Sequence, residues 1–207
     1  MYIPKQYKHE QLSEVKEFIR ENAFAILVNE VSGRPWATHI PLELEMDENG
    51  KEFLVGHIAK ANPQWQNFDE QKEVLCIFNG PHSYISSSWY KEEEVPTWNY
   101  IAVHIYGRLT ILDEAAVLNS LHKLVDKYET NSKNPVSLHN MSKNTMRQIK
   151  GIVGFKIEIK EVQAAYKLSQ GREHDHENIK RELEEKGAAS KAIVKAMNNS
   201  LKKDRNF

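Results

Sequence analysis

Residues 24–58, FAILVNEVSGRPWATHIPLELEMDENGKEFLVGHI, decide the fold. The runs FAILV (24–28) and WATHIPLEL (36–44) carry strand-forming residues, and the stretch between them holds Ser32, Gly33 and Pro35, which reads as a hairpin. A third strand, 53–58, follows Asp47, Glu48, Asn49 and Gly50, because an Asn-Gly pair tolerates the positive φ of a tight hairpin. Three strands joined by short turns predict an antiparallel meander.

The same reading extends in both directions. Leu12, Val15, Phe18 and Ile19 fall at helical spacing and predict an amphipathic helix over about 10–21. After the third strand, Asn62 can cap a short helix with Pro63 in its first position, ending near Gln71. VLCIF (74–78) suits a strand buried on both faces, and 84–90 gives a fifth strand beyond a Gly80-Pro81 turn. Residues 102–111 alternate Val103, Ile105, Leu109 and Ile111 with polar positions, with Gly107 as a bulge, and 153–159 alternates in the same way. Between them a helix over 114–128 carries a stripe of Leu118, Leu121, Val125 and Tyr128.

Six or seven strands with connections too short for repeated βαβ crossovers predict a mainly β (α+β) fold: a closed antiparallel barrel decorated by helices. No Gly-x-Gly-x-x-Gly and no P-loop supports a parallel nucleotide-binding sheet, and the serines at 86–88 lack the Gly-x-Ser-x-Gly elbow of a hydrolase. The expected division is a barrel domain over 1–172 and a helical extension over 173–207, packed on the barrel or on a partner subunit. Within the extension, 177–201 forms two helices broken at Gly187. Leu183 and Ile193 stand at spacings faintly like a helix-turn-helix, against the simpler reading of two packed amphipathic helices.

Of 207 residues, 40% are hydrophobic and 28% charged, with a net charge of −1, the balance of a folded soluble chain rather than a disordered one. No apolar run approaches the ~18 residues of a membrane span, and the start MYIPKQYKHEQ lacks the apolar core of a signal peptide, so a cytoplasmic protein with no membrane partner is expected. The single cysteine, Cys76, sits in an apolar run and reads as a buried hydrophobe. Residues 171–207 carry nine Lys/Arg against seven Asp/Glu. Beyond Lys202, Lys203 and Arg205 there is no concentrated basic footprint for nucleic acid, so DNA is a weakly supported partner. His174 and His176 flank Asp175 but read as solvent-exposed, and no metal is assigned.

Four stretches concentrate aromatic, hydroxyl and imidazole groups: 38–41, 57–65, 84–90 and 95–100. All four tryptophans lie within or beside them. Aromatic walls with a few edge donors suit a flat conjugated ligand, and Lys60 with Asn62, His57, Ser86 and Ser88 offers the donors a phosphate monoester needs.

The strings GPHSYISSSWY (80–90), VPTWNYIAVHIYGR (95–108), HIAKANPQW (57–65) and KLSQGR (167–172) resemble the PaiB family of FMN-binding negative transcriptional regulators. The resemblance runs from Met1 to about Met197. It implies a six-stranded Greek-key split barrel related to pyridoxamine-phosphate oxidases and flavin reductases, with FMN at the interface of a homodimer. It also implies repression of degradative-enzyme (protease) production and of sporulation in Bacillus-like bacteria. Carried over, the strand end His57, Ala59 and Lys60, with Asn62, meets the FMN phosphate and ribityl chain, while Thr38, His39, Ile40 and Pro41 border the isoalloxazine ring. Ser86, Ser88 and Trp89 close one side, and Thr97 and Trp98 come from the VPTWNY loop. Lys167, Gln170 and Arg172 match a C-terminal signature that reaches the partner subunit's flavin. The sequence departs from the pattern at Ser87, where a proline is usual, and at Gly171, where an asparagine is usual.

The same fold serves regulators and enzymes. The alternative function is therefore a flavin-dependent oxidoreductase of unknown substrate, for which His39, His104 and Tyr106 are the available groups over a ring; catalytic residues are not assigned.

Overall fold

The computed structural model describes residues 1–204. Six strands, β1 (Phe24–Val31), β2 (Arg34–Met46), β3 (Glu52–Ala59), β4 (Glu73–Ile85), β5 (Thr97–Ile111) and β6 (Ile152–Lys167), close into a barrel in the order β1-β2-β3-β6-β5-β4. The pairs β1–β2, β2–β3, β3–β6 and β1–β4 are antiparallel. The helices are α1 (Leu12–Glu21), α2 (Glu114–Glu129), the single turn α3 (Lys143–Met146), α4 (His176–Glu185) and α5 (Ala188–Asp204). None of the described helices is long and apolar enough to cross a membrane.

The chain gathers into two compact units. The first comprises Ile19–Phe78 and His104–Val162. Its meander forms as the sequence predicts: Ser32 and Gly33 take φ of 51° and 77°, the left-handed pair that matches the twist of a two-residue hairpin, and β1 then pairs with β2 from Val31↔Arg34 to Phe24↔Pro41. The turn into β3 is held by Asp47, whose carboxylate accepts from the backbone N–H groups of Asn49 and Lys51 at 2.9 and 2.8 Å. Leu27, Leu42, Leu54, Cys76, Phe78, Ile105, Phe155 and Ile157 fill the interior, and burial pushes the Cys76 thiol pKa far up, so it acts as a hydrophobe.

Two glycines in this unit mark close approaches. A Cβ on Gly107 would stand 2.4 Å from the Glu158 carbonyl oxygen, and one on Gly154 would stand 2.5 Å from a Val117 methyl. The second contact corrects the expected stripe on α2. Val117 is the buried residue of that helix, whereas Leu118 and Tyr128 are exposed. Gly154 lets the helix settle on β6 through Val117, which rotates Leu118 outward.

Other expectations also give way. The segment after Asn62 is only a 3-10 turn, Pro63–Asn67, not a helix to Gln71; Asn62 caps it as expected, but the backbone is extended again at Phe68. No turn occurs at Gly80-Pro81. β4 runs continuously from Glu73 to Ile85, and residues 87–89 form a 3-10 turn rather than a strand. Thr97 and Trp98 lie in β5, not in a loop.

The second unit comprises Met1–Phe18, Asn79–Val103 and the chain from Gln163 onward, so it contains residues 173–204 together with α1 as far as Phe18 and parts of three strands. A Cβ on Gly80 would stand 2.5 Å from the Phe18 ring, so this glycine serves a close approach rather than a turn. α4 and α5, separated by Gly187 at φ 106°, bury Ile179, Leu183, Ile193, Val194 and Met197. Leu183 and Ile193 are thus packing residues. Ser190 meets Ser83 at 3.1 Å, and the Asn99 amide lies 4.0 Å from the Met197 sulfur. His176 is buried, its Nε2 2.8 Å from the Ser169 carbonyl oxygen, contrary to the exposure expected; His174 remains largely exposed. Arg205 lies outside the described residues.

Candidate functional site

The first group of predicted site residues is assembled by a residue not among them. Gln64 follows the Asn62 cap and is fully buried. Its Nε2 donates to the Leu27 carbonyl at 3.2 Å and to Asn29 Oδ1 at 2.8 Å, while its Oε1 accepts from the Thr38 hydroxyl. Asn62 Nδ2 in turn donates to Thr38 Oγ1 at 2.9 Å, and Asn62 Oδ1 accepts from the Gln64 backbone N–H at 3.0 Å. A buried amide with every hydrogen bond made is a rigid joint, and this one ties β1, β2 and the 63–67 turn together. A single glutamine in a polar string gives no periodic signal, so the sequence could not single it out.

Around that joint, His39 is exposed and stacks on Phe24 at 6.3 Å, Ile40 is buried, and Pro41 is half-buried. His57 is half-buried opposite Gly154, and burial lowers its pKa, so the imidazole is neutral near pH 7. Ala59 pairs with Ile152, and the Lys60 backbone bonds to Gly151 O at 2.8 Å. The Trp65 indole donates to the Lys60 carbonyl at 2.8 Å. With its backbone held on both sides, Lys60 presents an exposed ammonium.

The second group lies in the other unit. Ser86 caps the 87–89 turn, its hydroxyl 2.9 Å from that of Ser88. Trp89 is buried; its carbonyl accepts from Asn178 at 2.7 Å, and the Lys186 ammonium sits 4.3 Å from its ring centroid. Lys167 donates to the Thr97 hydroxyl. Trp98 is 54% exposed, with Tyr84 edge-on to it at 5.9 Å. Gln170 folds back onto its own strand, accepting from Leu168 N at 2.8 Å and donating to Tyr166 O at 2.6 Å, and Arg172 pairs with Glu94.

Residues 1–161 match the family described as "Putative FMN-binding domain". The chain belongs to this family. FMN is the cofactor that this membership assigns. The chain is 43% identical, over 98% of its length and 99% of the relative's, to "Protease synthase and sporulation protein PAI 2" of Bacillus subtilis. Among solved structures it is similar to the flavocytochrome Anf3 from Azotobacter vinelandii (TM-score 0.59, 17% identity, 80% of this chain and 72% of that one). It is also similar to a FAD and heme binding protein from Mycobacterium smegmatis (TM-score 0.60, 13% identity, 78% of this chain and 73% of that one). At these identities the two structures speak for the fold, a flavoprotein split barrel.

The donors of the first group fit FMN. Thr38 turns its proton inward to Gln64, but Asn62 keeps one amide N–H beyond its bond to Thr38, and Lys60 adds an exposed ammonium. A cation and a neutral donor on one short turn are the chemistry a phosphate monoester requires. The two departures from the family pattern are also accommodated. Gly171 has φ 77°, a left-handed position that asparagine and glycine both occupy readily. Ser87 is the first residue of a 3-10 turn behind an extended Ser86, where a proline fits equally well.

Proposed function

We propose that the protein is an FMN-binding negative transcriptional regulator that restrains degradative-enzyme production and sporulation, working in the cytoplasm as a homodimer. The observation that carries this reading is the near full-length 43% identity to the protein named for protease synthesis and sporulation. When bound, FMN supplies a redox-active ring; the chain's own residues hold it. Lys60 and the free N–H of Asn62 take the phosphate, Gln64 keeps both in place through Thr38, and Pro41 with His39 borders the ring. Ser86, Ser88, Trp89, Thr97 and Trp98 are the flavin residues of the other unit of the chain, and Lys167, Gln170 and Arg172 of that unit reach the partner subunit's flavin.

The α4–α5 pair buries its apolar faces and the sequence carries no concentrated basic footprint, so any repression depends on the C-terminal segment or on a partner protein rather than on a helix of the barrel in the major groove. The test is mass spectrometry of the small molecule released from the purified protein, with overexpression in a sporulating host. FMN in the released fraction and lowered secreted protease support the reading. A protein free of flavin, or protease output unchanged by overexpression, contradicts it. Rapid anaerobic reduction of the flavin by NADH or NADPH would instead identify an oxidoreductase.

A further inference from the structure

The helical pair α4–α5 carries no residue assigned to the flavin, yet its polar contacts reach the segments of its own unit that do carry such residues. Asn178 on α4 donates to the Trp89 carbonyl at 2.7 Å. Lys186, directly before the Gly187 break, has its ammonium 4.3 Å from the Trp89 ring centroid and 5.6 Å from that of Tyr84, whose carbonyl oxygen it meets at 3.4 Å. Tyr84 in turn stands edge-on to Trp98 at 5.9 Å. An indole fixed by a bond to its own carbonyl and by a cation over its ring has one preferred orientation.

The second helix grips the same strands. Ser190 on α5 meets Ser83 at 3.1 Å in the interior, and the Met197 sulfur lies 4.0 Å from the amide of the buried Asn99, which also donates to Ser169 Oγ at 2.8 Å. Both helices therefore hold the segments around 83–89 and 97–99, next to Ser86, Ser88, Trp89, Thr97 and Trp98.

The root of the pair pulls the other way. His176 Nε2 lies 2.8 Å from the Ser169 carbonyl oxygen, but its Nδ1 is buried with no hydrogen-bond partner among the described residues. Asp175, also buried, accepts from Lys91 N at 3.0 Å through Oδ1, whereas Oδ2 has only the His174 ring at 3.1 Å, an ion pair only while that ring is protonated. Ser169 itself takes φ 64°, a left-handed position in which a serine is strained. Burial of Ile179, Leu183, Ile193 and Met197 closes the pair, while opening returns water to Asp175 and His176 and frees Ser169. An element with opposing terms at its two ends has two positions open to it.

We propose that α4–α5 is a clamp on the aromatic wall of the flavin site, with Asn178 and Lys186 as positioning residues for Trp89 and, through Tyr84, for Trp98, and that flavin binding and closure of the pair form one coupled equilibrium. The inference rests on the flavin reading above and deepens it: the bound flavin decides whether the inner face of the C-terminal segment is buried or offered to a partner.

The experiment is amide hydrogen exchange, read by mass spectrometry on the full chain with and without saturating FMN, beside fluorescence titration of the same proteins with FMN. The variants are Lys186→Met, Asn178→Leu, their double variant, Lys186→Arg as the conservative rescue and the exposed Lys195→Met as a control on α5. Saturating FMN is expected to slow exchange in α4–α5 of the wild type roughly tenfold, within the usual range of coupling between sites. The double variant is expected to exchange faster there, to regain protection with FMN, and to bind FMN more weakly by no more than the factor by which FMN protects the helices, the limit that linkage sets. Lys186→Arg and Lys195→Met are expected to follow the wild type, and circular dichroism of each variant separates opening of the pair from loss of fold. FMN binding that leaves exchange in α4–α5 unchanged overturns the proposal, as does a double variant with a loss of affinity beyond that limit. A wild type that binds no FMN overturns the flavin reading; the clamp then stands only if the double variant loosens residues 83–91 together with α4–α5, and falls if the helices loosen alone.

Discussion

Asn62 donates to the Thr38 hydroxyl at 2.9 Å, and that hydroxyl in turn donates a hydrogen bond to Oε1 of the buried Gln64. The turn carrying the proposed phosphate donors is thereby tied to the strand bordering the ring, and the tie depends on an amide with no access to solvent. Gln64→Leu keeps the volume but leaves Asn29 Oδ1 and the Thr38 hydroxyl without their partner. It is expected to cost about 1–3 kcal/mol in urea denaturation and to weaken FMN binding as well. Stability unchanged within a few tenths of a kcal/mol would remove Gln64 from the account.

Gly107 and Gly151 form an internal control for close packing. A Cβ at Gly107 meets the Glu158 carbonyl at 2.4 Å, and backbone cannot swing aside as a side chain can; a Cβ at Gly151 meets nothing within 4 Å. Gly107→Ala should lose about 1–3 kcal/mol and Gly151→Ala much less, as read from denaturation midpoints. Similar losses at both positions would mean that backbone freedom, not contact, decides.

Ser87→Pro and Gly171→Asn restore the residues usual in the family. Ser87 opens a 3-10 turn behind an extended residue, so the proline is expected to stabilise by about 0.4–1 kcal/mol through the unfolded chain. Gly171→Asn is expected to be tolerated at φ 77°, while Gly171→Val is not. Thermal melts of the three variants check the ordering.

Burial lowers the pKa of both His57 and His104. For a base whose folded pKa is depressed, the unfolded chain takes up the proton first, so the stability from the neutral rings is present above about pH 6.5 and is lost as pH falls below it. The drop in urea midpoint between pH 7.5 and 5.5 should shrink in His57→Gln/His104→Gln. An undiminished drop assigns the acid sensitivity to other groups.

Much of this fold is legible in the sequence wherever one strand face is apolar. The alternation of Val103, Ile105 and Leu109 marks the centre of β5, and the Asn49-Gly50 turn marks the entry to β3. The strand ends are not legible. Residues 97–101 and 163–167 carry hydroxyls, amides and charges and belong to the second unit, so alternation fades where the strands continue into it. Gly80-Pro81 reads locally as a turn, but Gly80 is there to admit the Phe18 ring, a contact 62 positions away that no local pattern encodes. In the site, Lys60 and Asn62 are legible as donors, whereas Gln64 and Glu94 are not. Their roles come from burial and from partners far along the chain, Asn29 for one and Arg172 for the other.

The central claim is that the turn after β3 holds the phosphate of FMN. It is tested most directly by fluorescence titration of flavin-stripped protein with FMN and with riboflavin, comparing wild type, Lys60→Ala and Lys51→Ala. Lys51 is a fair control because its ammonium is exposed and already paired with Glu158. The account predicts that Lys60→Ala loses about 1.5–3 kcal/mol, roughly ten- to a hundredfold, for FMN but not for riboflavin, while Lys51→Ala binds both like wild type. Equal FMN affinities for the two variants would contradict it.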